Sequence, residues 1–279
     1  MSGRVVLVGT PIGNLGDVSH RAAEVLGAAD VVACEDTRRT GRLLAHLGVR
    51  APSLVRLDEH TERQRADELV GRVLSGATVA VVSDAGMPGL SDPGGVIVDV
   101  AVAADVPVEV VPGPFAAAVA LVGSGLVGDG RFVFEGFLPR KGADRDRRLL
   151  ALAGHDRPVV LYEAPHRVAR TLEDLVAVAG EGRRVALCRE LTKLHESTWR
   201  GTLAEALEHV ATVAPRGEYV VVLDAAPPVA APEDDDLRAE LDALLADGVS
   251  RRDAAEQVAT ARGVPRNRVK GLLNRPEDA

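Results

Sequence analysis

The chain has 279 residues (29.2 kDa), with 46% hydrophobic and 27% charged residues and a mean hydropathy of +0.06, a globular composition that excludes a disordered or collagen-like polymer. Its longest apolar stretch, Val96–Val108, is broken by Asp99 and Asp105, so no transmembrane span is expected. The start MSGRVVLVGT carries no secretory pattern and points to a cytoplasmic protein. The net charge of −8 hides local basic stretches at 131–150 and 249–275, so a polyanionic partner stays open. Aromatic residues make up only 3%, which argues against base-stacking platforms.

In chain order, strand-like runs at Val5–Val8, Val31–Cys34, Ser53–Leu57, Thr78–Ser83 and Val108–Val111 alternate with helical patterns. Ser19 is expected to cap Arg21–Leu26, Gly48 to stop Gly41–Leu47, and Thr61 to cap Glu62–Leu74. Val-rich strands separated by helices predict a parallel-rich sheet covered on both faces. Cys34 and Cys188 sit in apolar runs and read as buried free thiols, too few for a disulfide framework or a zinc cluster; no metal site is expected.

Pro112-Gly113-Pro114 breaks the pattern. Beyond it come helix Phe115–Val122, strand Phe132–Phe134, helix Arg145–Leu152, strand Val159–Glu163, helix Val168–Val178, strands Val185–Arg189 and Ser197–Gly201, helix Leu203–Val213 and strand Tyr219–Leu223. Two successive strands without a helix between them predict some antiparallel pairing. Ala225–Pro232, followed by EDDD, is a linker by composition. Leu237–Leu245, Arg251–Ala261 and Pro265–Leu273 then form a trihelical unit resembling a helix-turn-helix, with Ser250 as a cap and Gly263 and Pro265 at the last turn. The expected fold class is therefore α/β: a domain at 1–114, a second at 115–226 and a helical module at 233–279.

Glycine-rich and proline-rich loops follow strand ends, where open α/β sheets place ligands. Gly9–Gly16 matches neither a Walker loop nor a dinucleotide fingerprint, so phosphate binding is not indicated. Ser83–Gly95 is longer than a simple turn requires; its backbone can approach a ligand closely and its Asp and Ser side chains can face hydroxyl or amino groups, while Asp92 also fits as a helix cap with Pro93 behind it. Val111–Pro114 and Tyr162–Arg167 are the other two loops.

Taken in order, GTPIGNLGD, ACEDTRRT, SDAGMPGLSDPG, VPGP, FEGFLPRKG, YEAPHR, CRELTKLHE and RGEYVVV resemble the ribosomal RNA small subunit methyltransferase I family. The resemblance covers roughly Val5–Val222. It implies two α/β domains of the tetrapyrrole methylase fold (class III S-adenosylmethionine methyltransferases), a homodimer, and 2′-O-methylation of a cytidine in the decoding region of 16S rRNA. It also implies that S-adenosylmethionine lies between the two domains, with Pro11 and Gly13 at the floor. Asp84, Ala85, Gly86, Met87 and Ser91 would face the methionine and ribose parts, and Pro112 and Gly113 would turn the chain past the cleft. Tyr162, Glu163 and Ala164 with Gly217, Glu218 and Tyr219 would face the adenine.

A ribose hydroxyl needs a group to take its proton. Glu35 and Asp36 are the first candidates, with an N-cap plus an ion pair to the following arginines as the alternative reading; Lys141 and the pair His195-Glu196 are further candidates. For RNA, Arg140, Lys141, Arg145, Arg147, Arg148 and Arg167 form an internal patch, and Arg266, Arg268 and Lys270 project from the last helix as phosphate contacts. An acidic chain with modest patches points to the assembled 30S subunit as substrate. The competing readings are a corrin-type small-molecule methyltransferase and an S-adenosylmethionine-sensing nucleic-acid-binding regulator.

Overall fold

The computed structural model describes residues 3–50, 53–58, 61–228 and 232–273. Among them the strands and helices run β1 (Arg4–Val8), α1 (His20–Ala28), β2 (Val31–Cys34), α2 (Thr37–His46), β3 (Leu54–Arg56), α3 (Glu62–Leu74), β4 (Thr78–Val82), α4 (Gly95–Ala103) and β5 (Val108–Val111). There follow α5 (Ala116–Ser124), β6 (Val133–Phe137), α6 (Ala143–Ala153), β7 (Val159–Glu163), α7 (Val168–Ala179), β8 (Arg184–Arg189), β9 (Ser197–Thr202), α8 (Leu203–Thr212) and β10 (Tyr219–Leu223). Three helices close the chain: α9 (Asp234–Ala246), α10 (Arg251–Arg262) and α11 (Arg266–Leu272). The chain divides into two compact units, Met1–Ala226 and Pro227–Ala279.

The first sheet is wholly parallel, in the order β3-β2-β4-β1-β5. Its near-continuous valines face both ways, as a sheet buried on both sides requires. Leu26 of α1 and Leu44 of α2 pack with Val6, Val8 and Val32 on one face, while Leu69 of α3 and Ile97 of α4 pack with Val5, Val79 and Val81 on the other. Each fully buried side chain of this kind contributes about 1.5–3 kcal/mol. The second sheet has the order β6-β7-β10-β8-β9. β6 and β7 run parallel, and β10 is antiparallel to both β7 and β8, as is β9 to β8. The antiparallel pairing expected of the two successive strands is thus present. Cys34 and Cys188 are buried free thiols, as expected.

Capping follows the sequence at some ends and departs from it at others. Ser19 accepts the Ala22 N–H and Ser250 the Asp253 N–H, and Gly48 and Gly263 take the left-handed conformation after α2 and α10. Thr61 stands at the N-cap of α3, but its hydroxyl is bonded to Asp58 rather than to the helix. The Asp92–Pro93 cap is not formed: α4 begins at Gly95, behind Gly94 at φ 135°. Its free amides are instead met from another helix, where one Glu62 carboxylate oxygen accepts the Gly94 N–H at 2.7 Å and the Val96 N–H at 3.0 Å. Sequence distance hid this tertiary cap. Two charge-assisted bonds in a buried setting predict that Glu62→Ala lowers unfolding free energy by about 2–3 kcal/mol. Chemical denaturation checks this, and a loss below about half a kcal/mol would refute the assignment.

In the second unit α9, α10 and α11 enclose Leu237, Leu241, Val258 and Val269. The expected linker Ala225–Pro232 lies partly outside the described residues.

Candidate functional site

β1 and β4 are neighbours in the parallel sheet, but their outgoing helices, α1 and α4, lie on opposite faces. The two loops therefore diverge and leave a crevice at the carboxyl ends of the strands. A short antiparallel bridge pins its floor: Thr10 N–H donates to Gly86 O at 2.9 Å, and Gly86 N–H to Thr10 O at 3.2 Å. Below it the chain crosses itself at Gly9 and Gly113, where a Cβ on Gly9 would stand 2.6 Å from the Gly113 Cα. Only glycine permits that approach.

Residues of the second sheet close the crevice into a cavity of about 390 Å³. Asp84, Ala85, Gly86, Met87 and Ser91 line it from the β4 loop, with Glu35 and Arg39 from the end of β2 and the start of α2. Tyr162, Glu163, Ala164, Glu218 and Tyr219 line the opposite side, and Ile12, Ala116, Leu191 and Val220 supply apolar wall. The size suits a small cofactor or metabolite.

The charge of this cavity is lopsided. Glu35, Asp84 and Asp92 face it together, against one cation, Arg39, which lies 3.5 Å from the Asp84 carboxylate. Asp84 also accepts the Asp36 N–H at 3.1 Å. Among the described residues neither the Glu35 nor the Asp92 side chain has a hydrogen-bond partner. Burial, and then the neighbouring Asp84, raises the Glu35 carboxyl above its usual range, with Arg39 opposing. Burial, followed by the charges of Glu35 and Asp84, pushes Asp92 up to about 6. Burial also drives the Tyr162 hydroxyl up to about 12, keeping it protonated. Such a site rejects phosphate and favours a cationic, phosphate-free ligand.

The raised Asp92 carboxyl sets a stability prediction. Protonated Asp92 is favoured in the fold, so its contribution is present below an unfolded value near 3.8 and is lost as pH rises through about 6. At pH 8 the ionised group is therefore a cost, and Asp92→Asn removes it. A rise of that size corresponds to about 3 kcal/mol, which partial exposure reduces to about 1–2 kcal/mol. The gain should vanish at pH 4. Denaturation curves at the two pH values test this, and an equal effect at both would contradict it.

Several sequence candidates lie elsewhere. Asp36 is the N-cap of α2: its side chain accepts the Arg38 N–H at 2.8 Å and pairs with the Arg38 guanidinium, which holds its carboxyl down at about 2. It is outside the cavity lining and is a poor proton acceptor. Lys141, His195 and Glu196 also lie outside the lining, and Glu196 accepts the Thr192 N–H. Pro11 is buried and outside the lining, next to Ile12, which is in it, and Gly13 is exposed and lies against Lys193 and Thr192. Pro112 and Gly113 stand behind the β1 loop, and a side chain at Gly217 would strike Glu190; none of these three lines the cavity.

The expected basic patch needs correction at three positions. Arg145 is buried, its side chain 3% exposed, and is bound to Asp174, Thr171 and the Pro139 carbonyl. Helical spacing put it beside Arg147 and Arg148, but its register on α6 turns it inward. Arg167 is likewise held by Glu163 and the Leu138 carbonyl. In the second unit Arg268 is held by Asp234 and the Pro232 carbonyl. Arg147 pairs with Asp144, Arg148 with Glu135 and Asp144, and Arg266 with Glu256. Arg140, Lys141 and Lys270 are exposed.

In the sequence Asp92 reads either as a ligand-facing aspartate of the long loop or as a helix cap and is not named among the site residues, Arg39 reads only as an ion-pair partner of the preceding acids, and Leu191 has no role. The second aspartate of a long glycine loop was the available signal for Asp92, but its helix-cap pattern masked it.

A family model described as Tetrapyrrole (Corrin/Porphyrin) Methylases matches residues 4–207. Curated relatives named ribosomal RNA small subunit methyltransferase I are similar along most of the chain. The protein from Synechocystis sp. is 43% identical over 97% of this chain and 97% of its own. That from Mycobacterium tuberculosis is 44% identical over 93% and 90%, and that from Escherichia coli O157:H7 is 44% identical over 80% and 78%. Among solved structures, uroporphyrin-III C-methyltransferase from Thermus thermophilus complexed with S-adenyl homocysteine aligns at TM-score 0.59 and 22% identity, covering 80% of this chain and 97% of that one. The methyltransferase CobJ aligns at TM-score 0.63 and 22% identity, covering 81% and 95%. These last two likenesses establish the fold. With the family match and the end-to-end relatives together, the chain belongs to the tetrapyrrole methylase family, in its ribosomal RNA small subunit methyltransferase I branch.

Proposed function

We propose that this chain transfers a methyl group from S-adenosylmethionine to the ribose 2′-oxygen of a cytidine in the decoding region of 16S rRNA. The substrate is the assembled 30S subunit, and the enzyme acts in the cytoplasm as a homodimer. The observation that carries the reading is the acidic, phosphate-rejecting cavity between the two sheets, taken with relatives that bear the rRNA methyltransferase name. The cavity fits the cofactor. Its ammonium and sulfonium charges match Glu35, Asp84 and Asp92, and its adenine matches the apolar wall of Ile12, Leu191 and Val220. The Gly86 backbone, at φ 83°, offers a face free of side chain. When bound, the cofactor supplies an activated methyl group.

The rest of the chemistry falls to this chain. Asp84–Met87 and Ser91 hold the amino-acid and ribose parts, and Tyr162–Ala164 with Glu218 and Tyr219 face the adenine. Glu35 takes the proton of the ribose hydroxyl, its basicity raised by burial and Asp84. Asp84, paired with Arg39, stands beside it. The exposed cations Arg140 and Lys141 meet RNA phosphate, and in the second unit Lys270 does the same.

The test is labelled methyl transfer to three acceptors: 30S subunits lacking the modification, protein-free 16S rRNA and a tetrapyrrole precursor. Label on one cytidine 2′-oxygen of 30S RNA, mapped by primer extension, is the expected result. No label in any RNA, with S-adenosylmethionine still bound by calorimetry, overturns the rRNA assignment.

A further inference from the structure

The basic loop that follows β6 is gripped from beneath. Arg167 donates to the Leu138 carbonyl at 2.7 Å, and Arg145 donates to the Pro139 carbonyl at 3.0 Å. Both guanidiniums are themselves anchored. Arg145 is bound to Asp174 at 2.6 Å and to the Thr171 hydroxyl at 3.0 Å. The Thr171 hydroxyl donates to Glu163 at 2.6 Å, and Arg167 reaches the same carboxylate at 3.1 Å. Glu163 in turn lines the cavity. A continuous polar chain thus runs from the cavity wall to the two residues that precede Arg140 and Lys141.

Those two cations differ from the rest of the basic stretch. Arg147 and Arg148 are neutralised by Asp144 and Glu135. Arg140 and Lys141 are exposed and have no ion-pair or hydrogen-bond partner among the described residues. The loop leaves directly from Phe137, which lines the cavity mouth and is 49% exposed. Two unpaired positive charges therefore stand a few residues from the place where a nucleotide must enter. Long flexible side chains on an unsupported loop would lose much of their attraction to the entropy of ordering; a clamped backbone removes that cost.

We propose that Arg145 and Arg167 are positioning residues for the RNA substrate, which they never touch: their anchored guanidiniums, Arg145 buried and Arg167 partly so, hold the Leu138 and Pro139 carbonyls so that Arg140 and Lys141 present a fixed phosphate-binding pair at the cavity mouth. This rests on the rRNA reading above. Lysine cannot reproduce the clamp, because one ammonium cannot span the acceptors that the forked guanidinium joins.

The experiment compares wild type, R145K, R140A/K141A and the triple variant by steady-state transfer to 30S subunits across a range of salt. S-adenosylmethionine affinity is measured separately by calorimetry. R140A/K141A should raise KM for 30S about tenfold and reduce the salt slope of log KM by about 1–2, as expected for two lost phosphate contacts. R145K should raise KM about five- to tenfold and reduce the slope in the same direction, with cofactor affinity within about twofold. The triple variant should resemble R140A/K141A, because the clamp has nothing left to present. Should R145K fail to fold, R167K, at a partly exposed position, carries the same expectations.

A purely structural arginine would lower the melting temperature without moving the salt slope, and that outcome overturns the inference. So does a triple variant whose KM is the product of the separate effects. Wild type that binds S-adenosylmethionine yet methylates no RNA overturns the functional reading itself, and the inference with it.

Discussion

Glu35→Gln is expected to lower the rate of methyl transfer by about 10²–10³-fold, or about 3–4 kcal/mol of transition-state stabilisation. The carboxylate stands at the end of β2, lines the cavity and has no hydrogen-bond partner among the described residues. Its basicity is raised first by burial and then by Asp84. Glutamine keeps the shape and removes the proton acceptor. Because Glu35 repels Asp84 and Asp92, the variant should be no less stable than wild type.

The pH profile separates this role from a structural one. The acceptor must be ionised, so wild-type rate should fall as pH drops through the raised Glu35 range. Asp92, at about 6, titrates in the same field, and the acid limb therefore belongs to the coupled pair. Glu35→Gln should flatten that limb as well as lower the plateau. Asp36→Asn supplies the contrast: asparagine keeps the cap on the Arg38 N–H and loses only the exposed pair with the Arg38 guanidinium, so the rate should stay within a few-fold of wild type. If Glu35→Gln kept more than about a tenth of the rate, the proton would have to leave by another route.

The contrast between these adjacent acids shows what could be read from the sequence. ACEDTRRT announced a buried strand ending in two carboxylates, but not which would be spent on the helix. That choice depends on where α2 begins, and it begins at Thr37, ahead of the expected start at Gly41, which makes Asp36 the cap. The parallel sheet was legible because four of its five strands are short Val-rich runs, and Ser19 before α1 and Gly48 after α2 mark helix ends where the sequence places them. Ser83–Gly95 and Tyr162–Arg167 were legible as long glycine- or proline-bearing loops at strand ends and do line the cavity, whereas Val111–Pro114 carries the same pattern and lies outside the lining.

Tertiary partners were not legible. Glu62 caps α4 across 32 residues, and nothing local distinguishes it from any other first-turn glutamate. Arg145 shows the same limit from the other side. A run of arginines on a helix reads as a solvated face, yet a single step in helical phase takes one of them into the interior, where Asp174 and Thr171 wait on another helix. Asp92 carried a legible cap pattern that the fold does not use, because Glu62 already fills that need.

The buried carboxylate at the centre of the clamp gives the other large expected effect. Glu163→Ala should cost about 3–5 kcal/mol of stability, since it strands several donors at once in a nearly dry setting. One Glu163 oxygen accepts the Ala164 N–H at 2.9 Å and faces the Arg167 guanidinium, and the other accepts the Thr171 hydroxyl at 2.6 Å. The Glu163 side chain is 1% exposed and Thr171 is buried, so water cannot replace the lost acceptor there. Arg167, at 19% side-chain exposure, can turn partly outward, which limits the loss.

Glu163→Gln should cost about half as much, and its residual penalty has a specific origin. If the amide oxygen serves Ala164 and Arg167, the amide nitrogen must face Thr171. The threonine hydroxyl already accepts from Arg145, so its own hydrogen is then left without an acceptor. Combining Glu163→Gln with Thr171→Val removes that hydrogen, and the pair should lose less than the sum of the two single changes. Urea denaturation of wild type and the four variants decides the matter. Strict additivity, or a Glu163→Ala cost below about 1 kcal/mol, would show that the carboxylate holds neither the clamp nor the cavity wall in place.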